Sequence, residues 1–193
     1  MKREQKKEQT RIRIKEAALS LFAEQGFETT TIEQIAKLAG VAKGTFFNYF
    51  TSKDELICDL QGVFVMNEIV KLKDKPGPLI PRMQVVVFSL VQQFPLNKPV
   101  TRALFQAIFR SGPALERHNK LLNELMNVLI PLIEQGQENG ELRKDMPAAM
   151  IAQLSLQTYF GALIVWSMDD QDDPITDQMA LTFDLFFKGI TVQ

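Results

Sequence analysis

The sequence predicts an all-α protein, and three observations predict it. Apolar residues recur at intervals of three and four through most of the chain. Glycine and proline fall at the ends of those periodic stretches, and Thr, Ser or Pro stands where several of them begin. Hydrophobic residues make up 46% and charged ones 23% of 193 residues, a composition that supports a sizeable core and does not suit a disordered chain. The expected layout is about nine helices. A three-helix head containing a helix-turn-helix occupies residues 1–55, and a helical-bundle body occupies residues 56–193.

Each element has its own justification. Residues 1–10 are polar and charged and read as a frayed arm. The first helix is expected over residues 9–25, with Ile14, Ala17, Ala18, Leu21 and Phe22 as its inner stripe. Gly26 closes it, and Phe27 tucks back against the bundle. Ile32, Ile35, Ala36 and Ala39 share one face of the second helix, whose N-cap is Thr30 or Thr31; Thr30 with Glu33 has capping-box spacing. Gly40 ends that helix, since a turn at positive φ is cheapest without a Cβ. Residues 42–50 form the third helix, with Val41, Phe46, Tyr49 and Phe50 available for burial and Lys43, Thr45, Phe47 and Asn48 left outward. Small Ala36 lets the two helices cross closely, which is the arrangement a helix-turn-helix needs.

The fourth helix starts at a Thr51 or Ser52 cap, with Asp54 and Glu55 well placed in its first turn, and runs to about residue 70. A loop is expected over residues 73–81, where Pro76, Gly77, Pro78 and Pro81 cluster. Helices then follow over about residues 79–94, ended by Pro95, and 100–110, ended by Ser111-Gly112-Pro113. A longer one covers 114–139, with Pro131 weakening it near Asn127 and Gly140 ending it. The last two cover residues 147–168 and 174–190, joined by the acidic stretch 169–173.

Charge is uneven. Residues 1–53 carry ten Lys or Arg against six Glu, whereas the remainder carries twelve against seventeen acidic residues. A basic head on an acidic body suits a protein that presents one end to a polyanion. Cys58 is the only cysteine, so no intrachain disulfide forms, and its helical setting reads as a small buried hydrophobe in a cytoplasmic protein. The N-terminus lacks a signal-peptide pattern. Residues 146–168 contain no charge and are long enough to span a bilayer, but Gln153, Ser155, Gln157 and Thr158 interrupt them and no basic loop flanks them. A helix buried between protein surfaces is expected, with no membrane partner.

No glycine-rich phosphate loop, nucleophile elbow or histidine-centred constellation is present, so an enzyme is not expected. His118 is the sole histidine and reads as a surface residue. Without a cysteine pair or clustered carboxylates, neither a metal nor another cofactor is expected. The 169–173 stretch lacks the glycine and distal glutamate of an EF-hand loop.

The stretch AKGTFFNYFTSKDEL, preceded by TTIEQIAKLAGV and ALSLFAEQGFETT, resembles the DNA-binding domain of TetR-family (tetracycline-repressor-like) transcription regulators over about residues 12–60. The resemblance implies a homodimeric repressor of double-stranded DNA at a palindromic operator, released by a small apolar or amphipathic effector. It implies that Lys43, Gly44, Thr45 and Phe47 meet base edges or adjoining phosphates. Thr31, Asn48, Tyr49 and Lys53 fall where relatives hold phosphates. Ala42 stands where relatives commonly carry serine and Phe47 where they often carry tyrosine, each removing a hydroxyl. In the body, apolar residues surround most of the eighth helix. With the last helix they read as a four-helix dimer interface formed by Leu154, Phe160, Gly161, Leu163, Ile164, Phe183, Phe186 and Phe187. An effector cavity is expected among Phe64, Phe88, Phe105, Phe109, Met126 and Tyr159. Its occupation would swing the fourth helix like a pendulum and spoil the spacing of the two recognition helices. The alternative is a DNA-binding architectural or assembly factor of the same fold with no small-molecule effector.

Overall fold

Two apolar cores meet along one long helix. The computed structural model describes residues 2–92, 97–110, 112–170 and 173–192, with side chains from residue 4 onward. Among the described residues there are nine helices: α1 (Lys2–Gln25), α2 (Ile32–Leu38), α3 (Lys43–Phe47), α4 (Lys53–Asp74), α5 (Leu79–Gln92), α6 (Lys98–Arg110), α7 (Gly112–Glu138), α8 (Ala148–Met168) and α9 (Ile175–Ile190). The first core gathers Ile14, Ala18, Phe22, Ile35, Phe46 and Phe50 from α1 to α3 and the turn that follows. It adds Leu56, Ile57 and Leu60 of α4, together with Val100 and Ala103 of α6. The second core begins at Val65 and fills the space between α4 and α9. Phe64 packs against both.

The head core runs past residue 55. The first two turns of α4 belong to the core of the head, because Leu56 and Ile57 are fully buried beneath it. The arm is corrected: residues from Lys2 onward continue α1 rather than fray. The α4 helix runs one turn further than expected, to Asp74, and α5 starts at Leu79 with Pro81 inside its first turn. There the missing N–H would have had no helical partner in any case. Likewise α6 begins at Lys98 and α7 at Gly112, each about two residues early. The helix α7 is continuous past Pro131. Phe94, Pro95 and Ser111, invoked as helix ends, lie outside the described residues, as do Gln171 and Asp172.

The uncharged helix α8 packs against α6, α7 and α9. Ile151, Ala152, Leu156, Tyr159, Leu163 and Trp166 face inward. By length and composition it is the one described helix able to cross a bilayer, yet half of its apolar window is buried inside the protein. Trp166 donates from its indole to the Asp173 carbonyl at 2.8 Å, tying α8 to the loop before α9.

Candidate nucleic-acid interface and effector groove

The helix-turn-helix is built by local rules. Thr31 caps α2: its hydroxyl accepts from the Gln34 N–H at 3.2 Å, and the Gln34 side-chain oxygen accepts from the Thr31 N–H at 2.7 Å. The capping box therefore uses Thr31 and Gln34, not Thr30 and Glu33. Thr30 is buried, and its hydroxyl donates to the Gly26 carbonyl at 2.6 Å. At the other end, Gly40 has φ +67°, with its N–H on the Lys37 carbonyl and the Val41 N–H on the Ala36 carbonyl. This is a Schellman turn, whose left-handed residue suits glycine. Phe46 is fully buried and Phe50 is 2% exposed, so the inner side of α3 is pinned and its register is fixed.

The outer side of α3 is free. Lys43, Gly44, Phe47 and Asn48 are exposed and Thr45 and Tyr49 half-buried, with Thr31 and Ala42 exposed beside them. Nothing lies within 4 Å of a Cβ built on Gly44, so a duplex can approach the backbone there. Phe47 leans its ring edge-on against Phe46 at 5.6 Å while 45% of it stays accessible. Lys43 is ion-paired with Glu33 of α2, and that ammonium holds the Glu33 carboxyl below its usual range. Nothing in the sequence spacing marked this pair.

Lys53 departs from the expected phosphate set. Its ammonium donates to the carbonyls of Phe27 and Thr30, the latter at 3.0 Å, and sits 4.2 Å from the centre of the Phe27 ring. It closes the loop between α1 and α2 onto α4 instead of facing outward. Desolvation lowers its pKa. Arg11 is also turned inward and pairs with Asp59 of α4 at 2.7 Å; Lys15 reaches the other oxygen of the same carboxylate at 2.5 Å.

In the body, the six expected effector residues are not brought together. Phe88 is 52% exposed and lines a cleft of about 370 Å³ between α5 and α9. Tyr159 is buried beside a small apolar crevice of about 30 Å³, and burial pushes its phenol up. Phe105 is core and stacks on Phe109, which is 71% exposed, while Phe64 and Met126 pack against the core. A groove of about 410 Å³ is instead lined by α4, α6 and α7, with Arg11 of α1 at its edge. Cys58, Met66, Leu104, Ile108 and Leu121 supply its apolar lining, and Arg11, Arg117 and Lys120 its cations. His118, expected on the surface, is half-buried in this lining and meets Phe160 edge-on at 5.1 Å; desolvation lowers its pKa. Sequence reasoning missed the groove because its residues come from four helices.

The expected dimer residues divide into two groups. Phe160, Leu163, Phe183 and Phe187 are buried within the protomer and are part of its own core. Leu154, Gly161, Ile164 and Phe186 remain accessible. With them, Met150, Val165 and Met168 form one stripe along the whole of α8, and Leu181 and Leu185 stand out from α9. Nothing lies within 4 Å of a Cβ built on Gly161 or Gly189. Among the described residues no three His, Cys, Asp or Glu side chains converge on a metal position.

Comparison with known proteins matches both halves of this architecture. Residues 14–60 match the family described as bacterial regulatory proteins, tetR family, and residues 110–189 match the YsiA-like protein C-terminal region. The fatty acid metabolism regulator protein of Bacillus subtilis is 26% identical over 186 residues, covering 93% of this chain and 94% of its own. The transcriptional repressor BepR of Brucella suis is 25% identical, over 82% of this chain and 80% of its own. Two solved structures share the fold. One is Thermus thermophilus FadR in complex with lauroyl-CoA, with TM-score 0.69 and 23% identity over 95% of this chain and 96% of its own. The other is Bacillus subtilis FadR in complex with stearoyl-CoA, with TM-score 0.65 and 22% identity over 93% and 98%. A glycine-turned α2–α3 pair matched in the head, a separate match in the body and a helix path shared almost end to end place this chain in the TetR family of bacterial transcription regulators.

Proposed function

We propose that the protein is a homodimeric repressor that reads a palindromic operator through α3 and leaves it when an amphipathic effector enters the body. The observation that carries this reading is the outer face of α3, pinned from behind by Phe46 and held at a fixed angle by the Gly40 turn. On it, Lys43, Thr45 and Phe47 meet base edges and adjoining phosphates, with the Gly44 backbone in close approach. Thr31, Ala42, Asn48 and Tyr49 lie along the phosphates. Phosphate contacts orient the protein and base contacts choose the sequence. The head extends through Leu60, so α4 is shared between reading and sensing.

The occupant of the apolar stripe on α8 and α9 is a second copy of the chain. A stripe that runs the length of a 21-residue helix, with open glycines that permit close approach, fits a four-helix interface. Related proteins have been solved with stearoyl-CoA and lauroyl-CoA, and the groove beside α4 offers an apolar floor and a cationic edge that suit an acyl chain with a charged head. Its size falls in the range of small-molecule sites, which favours a sensor over an architectural factor. The chain would act on DNA in the cytoplasm.

The test is to select DNA fragments with the purified protein and titrate the winner with salt and with acyl-CoAs. Affinity should fall with salt, with log K dropping by about 0.9 per phosphate neutralised. An acyl-CoA should release the fragment. Salt-independent binding would remove the α3 assignment.

A further inference from the structure

Glu55, in the first turn of α4, uses both of its carboxylate oxygens. Oε1 pairs with Arg117 of α7 at 2.7 Å. Oε2 accepts from the Thr51 N–H at 2.7 Å and from the Thr51 hydroxyl at 2.5 Å. Thr51 follows Phe50, the last ring wedged beneath α3, so one carboxylate joins the body to the segment that leaves the recognition helix. Arg117 reaches Glu55 from the wall of the groove, and Arg11 stands on the same wall.

That wall is incompletely satisfied. The Nε of Arg11, the Nε of Arg117 and the side-chain nitrogen of Gln61 are buried and have no partner among the described residues. Gln61 is 2% exposed and lines the groove. Buried donors are normally paired, so three unpaired ones around one opening mark a place for an acceptor. Asp59 and Glu124 also line the groove, but Arg11, Arg117 and Lys120 outnumber them. Opposite, the apolar side chains of α4, α6 and α7 leave room for a chain of methylenes.

We propose that the groove binds an amphipathic anion whose charged group takes Arg117 from Glu55, and that this exchange is what signals occupancy to α3. The proposal rests on the effector reading above and adds the site, the charge and the route. An anion and Glu55 compete for one guanidinium, so holding the anion and holding Thr51 through Arg117-paired Glu55 are alternative states. Competition of this kind makes anion and DNA binding oppose each other, by the same factor in both directions. The charged group is a carboxylate or a phosphate; both accept two N–H donors from an arginine fork.

The test uses the full chain and the DNA fragment it selects, with dodecanoate and dodecanoyl-CoA as probes, dodecanol as tail alone and coenzyme A as head alone. Calorimetry reads probe binding and fluorescence anisotropy reads DNA release. One of the two acyl anions should bind and release DNA, and dodecanol and coenzyme A should bind at least about tenfold more weakly than it does. Arg117→Gln should weaken that probe by about tenfold, whereas Glu55→Gln should strengthen it severalfold by removing the competitor. Both variants should weaken DNA binding without probe. A merely structural pair would not give opposite signs for the probe. Val63→Trp, at an exposed position on the groove, should block the tail and leave probe-free DNA binding unchanged, which keeps the site testable if Arg117→Gln folds poorly. Release that persists undiminished in Arg117→Gln and Val63→Trp would overturn this site while leaving the effector reading intact. If no acyl probe alters DNA binding by the unmodified protein, the effector reading itself fails.

Discussion

Head and body handle apolar surface in opposite ways. Around the recognition turn, Phe46 and Phe50 are 2% exposed or less, and the outer face offers Lys43, Thr45 and Asn48 with the aromatics Phe47 and half-buried Tyr49. In α8 and α9 the apolar residues face both ways. Leu163 and Phe187 are inside, while Val165 is 59% and Leu181 64% exposed. The head is finished as a single chain and presents polar groups suited to a hydrated polyanion. The body leaves an apolar stripe exposed, of the kind that marks an interaction surface. One turn of α8 thus contains both a core residue and an exposed apolar residue.

Substitutions on either side of that divide sharpen it. Phe46→Ala should cost about 3–5 kcal/mol of stability in denaturant unfolding, because a fully buried ring leaves a cavity that α2 and α3 cannot close. Leu163→Ala should cost about 2–5 kcal/mol for the same reason, and the protein should still sediment as a dimer. Val165→Lys, two residues away, should leave protomer helicity intact and yield monomers in sedimentation. DNA affinity should then fall by about a hundredfold, since two half-sites are no longer bound as one unit. If Val165→Lys stayed dimeric and Leu163→Ala dissociated, the assignment of the two faces would be reversed.

Smaller effects probe the head alone. Gly40→Ala meets no close neighbour except Arg13 Nη1 at 3.6 Å, so its cost should be the left-handed backbone, about 1–2 kcal/mol. Thr31→Ala should cost about 1 kcal/mol by losing the α2 cap. A Gly40→Ala protein as stable as its parent would mean that the turn tolerates another conformation.

The same contrast explains what could be read in advance. The Gly40 turn, the buried Phe46 and the outward Lys43, Thr45 and Phe47 follow from spacing within a dozen residues, and the structure places them as the sequence implies. Lys53 was misplaced because its acceptors, the Phe27 and Thr30 carbonyls, belong to a loop more than twenty residues earlier. Helix α8 is apolar nearly all round, so periodicity could not separate Phe160 and Leu163 from Gly161 and Val165. Its neighbours decide that. Phe and Met pointed to a cavity in the body, but the groove owes its character to Arg11, Arg117 and Gln61, which sit on three different helices. Polar atoms left without partners are visible only after folding.

Two chains joined through the outer stripe of α8 and α9 would hold two α3 helices one duplex turn apart. Cys58 is the only cysteine, so in a Cys58→Ser background an introduced Asn48→Cys is the single thiol for a nitroxide label. Pulsed electron–electron distance measurement on that labelled protein should give one intersubunit separation of about 34–36 Å, widened by the reach of the labels. The absence of any intersubunit distance, or a single distance far from a helical turn of DNA, would contradict the account.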